Sequence, residues 1–262
     1  MSAAAITFAF LQSAILPDVV AEARRLADHA GERGLELRAI GGVAVALHAP
    51  GGIPPPLART YGDIDLVSGR KSGRGAAQLL ADAGYEPNER FNAMNGSTRL
   101  VFYDADNGRQ VDVFVGEFRM CHVVPVADRL HVDPTTVPLA ELLLTKLQIV
   151  QLNEKDLKDI WALVLEHEVA DHDDDTINGG VVARVLAGDW GFWRTSRESV
   201  EVARERLGDS GLDSEQRQVI DDRLRRLWER VEQEPKSLRW RSRAKIGDRS
   251  RWYEQPEEIA HR

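Results

Sequence analysis

The sequence predicts an α+β protein: a mixed β-sheet flanked by helices, followed by an α-helical C-terminal region. Two observations carry this. Short strand-like runs bounded by Gly and Pro are concentrated before about residue 135, and after it the apolar residues recur at helical spacing. The chain therefore divides into an α/β core, residues 1–135, and an α-helical region with a basic, aromatic tail, residues 136–262.

In chain order, Val19, Val20, Ala23, Leu26 and Ala27 recur at helical spacing after Pro17, and Gly31 and Gly34 stop that helix. Residues 37–40 read as a short strand breaking at Gly41-Gly42, and 43–47 as a helix ending near Pro50. Residues 51–56, two glycines and three prolines around Ile53, are a loop, because proline removes donors and fixes φ. A strand is expected at 63–67 and a helix at 76–83, stopped by Gly84. Strands follow at 98–103 and 110–115, joined through an Asn107-Gly108 hairpin signal. Helices are expected at 138–152, 154–168, 180–186, 196–207 and 213–234. In the last, Val219, Ile220, Leu224, Leu227, Trp228 and Val231 form one apolar stripe and Pro235 ends it. The acidic run at 171–175 reads as a solvated loop.

Composition narrows the function classes. The chain has 262 residues, a net charge of −8, 43% hydrophobic and 29% charged residues, which is ordinary for a globular protein and unlike a disordered chain or a coiled coil. A lone thiol, Cys121, forms no internal disulfide and excludes a Cys-based zinc site. The net acidity argues against nucleic-acid binding through global charge and leaves a local basic patch open. The apolar stretch at 3–16 lacks a preceding Lys or Arg and a small-residue cleavage motif, and it is shorter than the ~20 residues of a membrane span. A soluble, cytoplasmic protein without a membrane partner is expected.

Four pieces carry possible chemistry. Gly41-Gly42 joins a strand to a helix, either as a plain turn or as a place where phosphate approaches the backbone. Asp63 and Asp65 alternate along a strand, so both carboxylates share a face while Ile64 and Leu66 point away. Such a pair repels itself unless it is solvated or holds a divalent cation such as Mg²⁺. Asp112 interrupts an apolar strand, either as a half-exposed edge residue or on an open face with Gln110 and Phe114, where it would reach the same cation pocket. Lys146 lies on the same helical face as Leu142, Leu143 and Val150, where it either snorkels or presents a cation to nucleotide phosphates. Lys155 and Asp159 read most simply as a surface i,i+4 pair.

Together, Gly41-Gly42, Asp63-x-Asp65 and the later Asp112 resemble the DNA-polymerase-β-like nucleotidyltransferase superfamily, and within it the AbiEii-type, toxin-like minimal nucleotidyltransferases. Arg59 shortly before Asp63, the run at 142–147 and the Lys155-to-Asp159 segment extend the likeness, which covers about residues 35–168. The resemblance implies a nucleotidyltransferase-type sheet and transfer of a nucleoside monophosphate from an NTP such as ATP to an acceptor, with release of pyrophosphate. It implies that Asp63, Asp65 and Asp112 hold two Mg²⁺ ions, with Asp112 also helping to activate the nucleophile. It further implies that Gly41 and Gly42 cradle phosphates and that Arg59 and Lys146 bind the nucleotide, with Lys146 neutralising triphosphate charge. The acceptor is RNA or tRNA, a protein, or a small molecule such as an aminoglycoside or lincosamide antibiotic. A toxin-like role brings an antitoxin protein as partner. A non-catalytic nucleotide- or RNA-binding module is the reading from another class. The chain departs from the family pattern in Gly41-Gly42, followed by Val43, where many members have Gly-Ser, in the long gap from Gly42 to Asp63, and in Tyr61 where Ser or Thr is common.

The tail at 235–254 sets Lys236, Arg239, Arg241, Arg243, Lys245, Arg249 and Arg251 against Asp248 and Glu254, with Trp240, Trp252 and Tyr253 interleaved. Its alternation fits a strand, and a helix stays open. Either the rings dock on the helical part while the arginines pair with the acidic surface, or the stripe holds phosphates and stacked bases.

Overall fold

The structure is a computed structural model and describes residues 14–255. The apolar N-terminal stretch at 3–16 therefore falls almost wholly outside the described residues. Helix α1 (Val19–Glu32) starts at Asp18, whose side chain accepts from the Ala21 N–H, and buries Ala23, Leu26 and Ala30 at helical spacing. Strand β1 (Leu37–Ile40) runs into the short helix α2 (Gly41–Leu47). Next come β2 (Ile64–Ser68), α3 (Gly73–Asp82), β3 (Glu86–Pro87), α4 (Glu89–Asn95), β4 (Arg99–Asp104) and β5 (Arg109–Val115).

These strands form one mixed sheet in the order β1-β2-β5-β4-β3. Only β2 and β5 pair in parallel; their neighbours run antiparallel. The register sets Ile40 opposite Asp65, Asp65 opposite Asp112, and Asp112 opposite Val101. Side chains alternate, so Asp65, Gln110, Asp112, Phe114 and Arg99 share one face, and Ile64, Leu66, Val111 and Val113 share the other. That second face is fully buried.

Strand β5 overturns one expectation. All seven of its residues are buried, and it lies between β2 and β4, so Asp112 is neither on an edge nor on an open face. Helix α4 was not expected: it buries no residue and so shows no apolar stripe, and it is nucleated by Asn88 accepting from the Phe91 N–H.

The hairpin β6 (Phe118–Arg119) and β7 (Val123–Val124) leads to α5 (Leu139–Leu147), all nine of whose residues are buried. The helix ends at Leu147 rather than at 152. Helix α6 (Glu154–Glu166) is closed by a capping box between Asn153 and Asp156. A short parallel pair, β8 (Val169–Ala170) and β9 (Ile177–Asn178), flanks the exposed acidic run. It is followed by α7 (Gly179–Gly188), α8 (Trp190–Glu205), α9 (Ser214–Gln233) and α10 (Leu238–Ala244). Helix α8 starts before residue 196 because Asp189 caps it by accepting from the Phe192 N–H. The tail at 238–244 is a helix, not an alternating strand.

Buried side chains of the sheet (Ile64, Val113) and of the helical part (Leu143, Leu224) belong to one hydrophobic cluster, so the core is continuous across residue 135. Among the described residues no helix is long and apolar enough to cross a membrane.

Candidate carboxylate site

The site lies where β1 ends. Gly41 has φ +74°, and a Cβ there would stand 2.6 Å from Asp65 Oδ2, so the turn needs glycine twice over: for its backbone and for the carboxylate that packs on it. At Gly42 a Cβ would stand 1.9 Å from Arg59 Nη2; the guanidinium fills the space above that glycine. It also lies over the Tyr61 ring, 4.4 Å from its centroid.

Asp65 and Asp112 are register partners on neighbouring parallel strands, about 4.8 Å apart at Cα by the usual strand spacing, with side chains on one face. Burial, then the Asp112 charge, pushes the Asp65 carboxyl up to about 6, with Lys146 and Arg99 acting in the opposite direction. Asp63 adds to the repulsion from an exposed position at the rim, just before β2. Asp112 is 3% exposed and fully engaged: Arg99 Nε donates to Oδ1 at 2.8 Å and Gln110 Nε2 donates to Oδ2 at 2.6 Å.

Lys146 neither snorkels nor reaches solvent. Its Nζ sits 2.7 Å from Asp159 Oδ2 and 4.0 Å from Asp156 Oδ1, in a helix buried along its whole length. Arg59 clamps the same Asp159 through two bonds, Nε to Oδ1 at 2.8 Å and Nη2 to Oδ2 at 2.7 Å. The expected surface pair of Lys155 with Asp159 is thus corrected: Asp159 is 2% exposed and faces inward, and the i,i+4 pair on α6 is Lys158 with Glu154.

The structure therefore brings together Gly41, Gly42, Arg59, Asp65, Asp112 and Lys146, with Asp63 at the edge. Sequence reasoning missed Asp159 as their junction, and it missed Arg99 and Gln110. Alternation on β4 and β5 was the available signal for the last two, since an antiparallel pairing puts Arg99 on the face of Asp112. Two buried polar atoms here have no partner, the Tyr61 hydroxyl and Gln110 Oε1.

As a cation site the arrangement is two-sided. Among the described residues no group of three or more His, Cys, Asp or Glu side chains is gathered closely enough to hold a metal ion. Yet half-buried Asp65 and buried Asp112 are adjacent carboxylates whose mutual repulsion is only partly offset by Lys146 and Arg99, and all-oxygen donors of this kind suit Mg²⁺. The donor set fits the ion. Comparison with protein-family models gives no match, and comparison with curated proteins gives none.

Proposed function

We propose that this protein is a Mg²⁺-dependent nucleotidyltransferase with a nucleotidyltransferase-type sheet. It moves a nucleoside monophosphate from an NTP to an acceptor hydroxyl: a new bond forms between the acceptor oxygen and the α-phosphorus, the bond to the bridging oxygen breaks, and pyrophosphate leaves. The observation that carries the reading is the register of Asp65 against Asp112, beside Lys146 and directly behind the Gly41-Gly42 turn.

Mg²⁺ held by Asp65 and Asp112, with Asp63 at the rim, would neutralise triphosphate charge and favour ionisation of the acceptor hydroxyl. The chain's own groups do the rest. Arg99 and Gln110 fix the Asp112 carboxylate so that it does not rotate when charge arrives. Asp159 holds Lys146 and Arg59 as oriented cations next to the site, so their positive charge is fixed beside the carboxylates. The acceptor under this reading is RNA or tRNA, or a protein, and the family resemblance adds a toxin-like role with an antitoxin partner.

The test is incubation with each NTP labelled at the α-phosphate, Mg²⁺ and total RNA, comparing wild type with Asp65→Ala. Transfer to RNA that falls by about a hundredfold or more in the variant supports the proposal. Transfer to an aminoglycoside and not to RNA replaces the acceptor. Nucleotide binding with no transfer to any acceptor, or equal transfer by both proteins, overturns it.

A further inference from the structure

The tail that the carboxylate site leaves unused builds a second cleft. A cavity of about 730 Å³ lies among the β6–β7 hairpin, the junction of α7 and α8, and α10 with the segment after it. That is within the range of ligand-binding clefts, roughly 300–1,000 Å³. Its walls carry Arg239, Arg243, Arg251, Trp190, Trp252 and Tyr253.

The arginines differ in what they are doing. Arg243 shapes the wall: it donates to the carbonyls of Gly247 at 2.8 Å and Ser250 at 2.7 Å and covers the Trp190 ring at 4.6 Å. Arg239 and Arg251 form no ion pair among the described residues; Arg251 lies 4.8 Å over the Tyr253 ring. The acids of the cleft are already committed. Asp189 caps α8, and Glu254 pairs with Arg119 at 2.9 Å. His122, stacked on Phe192, is held down to about 4 by burial and adds no charge near neutrality. The cleft is thus locally cationic in a chain of net charge −8.

A neighbouring cavity of about 320 Å³ shares Arg119 and Glu254 with the first and is lined by Arg99 and Phe114. Arg99 is the residue bonded to Asp112. The two cavities meet at the Arg119–Glu254 ion pair and flank it as a trough, one end at the Arg and Trp cluster and the other at Arg99 beside Asp112. A mononucleotide would fill only part of it. Arginines beside half-buried aromatic rings, half-buried Arg194 on the Trp252 ring and exposed Arg251 on the Tyr253 ring, match a phosphate chain whose unpaired bases can take the place of those cations against the rings.

We propose that this trough binds a single-stranded polynucleotide, with Arg239 and Arg251 on its phosphates and the Trp252 and Tyr253 rings against its bases. Its direction, one end lying at Arg99 toward Asp112, rests on the nucleotidyl-transfer reading; the binding itself does not. The experiment is fluorescence anisotropy of labelled oligo(U) of about twenty nucleotides with the full chain, without NTP or Mg²⁺, from about 50 mM salt upward. Wild type and Arg239→Gln/Arg251→Gln are compared. Both side chains are exposed and outside the core, so the variant is expected to keep the wild-type circular dichroism and melting curve. The expected result is about tenfold weaker binding at low salt and a salt slope shallower by about 1.4, since each single-strand phosphate contact contributes about 0.7. Three results overturn the proposal: no binding of oligo(U) at low salt, an affinity unchanged by the double substitution, or equal affinity for inorganic polyphosphate or a duplex of the same length. A chain that binds oligo(U) and transfers no nucleotide keeps this proposal and overturns the preceding one. Transfer without oligo(U) binding does the reverse.

Discussion

The molecule handles charge in two opposite ways. Around Asp65 and Asp112, ionised groups are inside: Asp159 holds Arg59 and Lys146 together, Arg99 and Gln110 hold Asp112, and α5 is buried along its length. Along the tail, Arg239 and Arg251 are exposed, and α10 buries no residue at all. A charge in a low-dielectric interior is strongly coupled to its neighbours and fixed in place. An exposed charge is screened, adaptable and cheap to lose. The first arrangement suits chemistry that tolerates little movement. The second suits a polymer that must slide in and out.

The sharpest test of the contrast is to remove one charge from each region. Asp159→Ala leaves Arg59 and Lys146 facing each other without their shared carboxylate in a largely buried setting. A loss of about 3–5 kcal/mol is expected, read as a shift in the urea midpoint at unchanged slope. Arg239→Ala, with no ion pair to lose among the described residues, is expected to stay within about 0.5 kcal/mol. Similar midpoints for the two variants would break the comparison.

A middle-sized effect concerns Asp65 itself, in metal-free buffer. Its carboxyl is raised from 3.8 to about 6 by burial and by Asp112, so the native state holds its proton more tightly than the unfolded chain. Between about pH 4 and 6 the native state then binds more protons than the unfolded state, and stability falls as pH rises through that window. Above it a constant penalty of roughly 2–3 kcal/mol remains. Asp65→Asn, which carries no charge at any pH, is expected to be more stable than wild type at pH 8 and level with it at pH 4. A parallel pair of melting-temperature curves across that range would show that Asp65 is not under this repulsion.

Much of this was legible in the sequence. β1 was read to the residue from its apolar run and the glycine break, and β2 and β5 to within a residue, because alternation and the Asn107-Gly108 turn are local signals. Gly41 is legible as the break between a strand and a helix, and Asp65 and Asp112 as charges on otherwise apolar strands. What stayed hidden depends on contacts between distant segments. Nothing near Asp159 reveals that it meets Arg59, a hundred residues away. On α6 an inward Asp looks the same as a solvated one until the fold brings Lys146 to it. The tail's helix was hidden for another reason: its apolar residues do not face a core, and Leu238 is 75% exposed. Half of the docking expectation holds there. Trp240 packs edge-on to Trp193, with ring centroids 5.2 Å apart, but none of Arg239, Arg241, Arg243, Arg249 and Arg251 pairs with a carboxylate among the described residues.

The smallest test compares two helix caps. Asn153 closes α6 by accepting from the Lys155 and Asp156 N–H groups, and Ser237 closes α10 by accepting from the Trp240 N–H. Each cap contributes about 1 kcal/mol to its own helix. Helix α6 carries Asp156 and Asp159 and buries Leu157, Ile160 and Trp161 in the common core, so its ordering is tied to global folding. Asn153→Ala is therefore expected to lower the melting temperature by a few degrees and to speed exchange by the same factor at all core amides that exchange only through global unfolding. Ser237→Ala should leave the melting temperature nearly unchanged and speed exchange only within 238–244, because α10 can open while the core stays closed. If Ser237→Ala instead lowers protection across the sheet, the tail is part of the cooperative core, and its exposed arginines sit on a scaffold as rigid as the one behind Asp65.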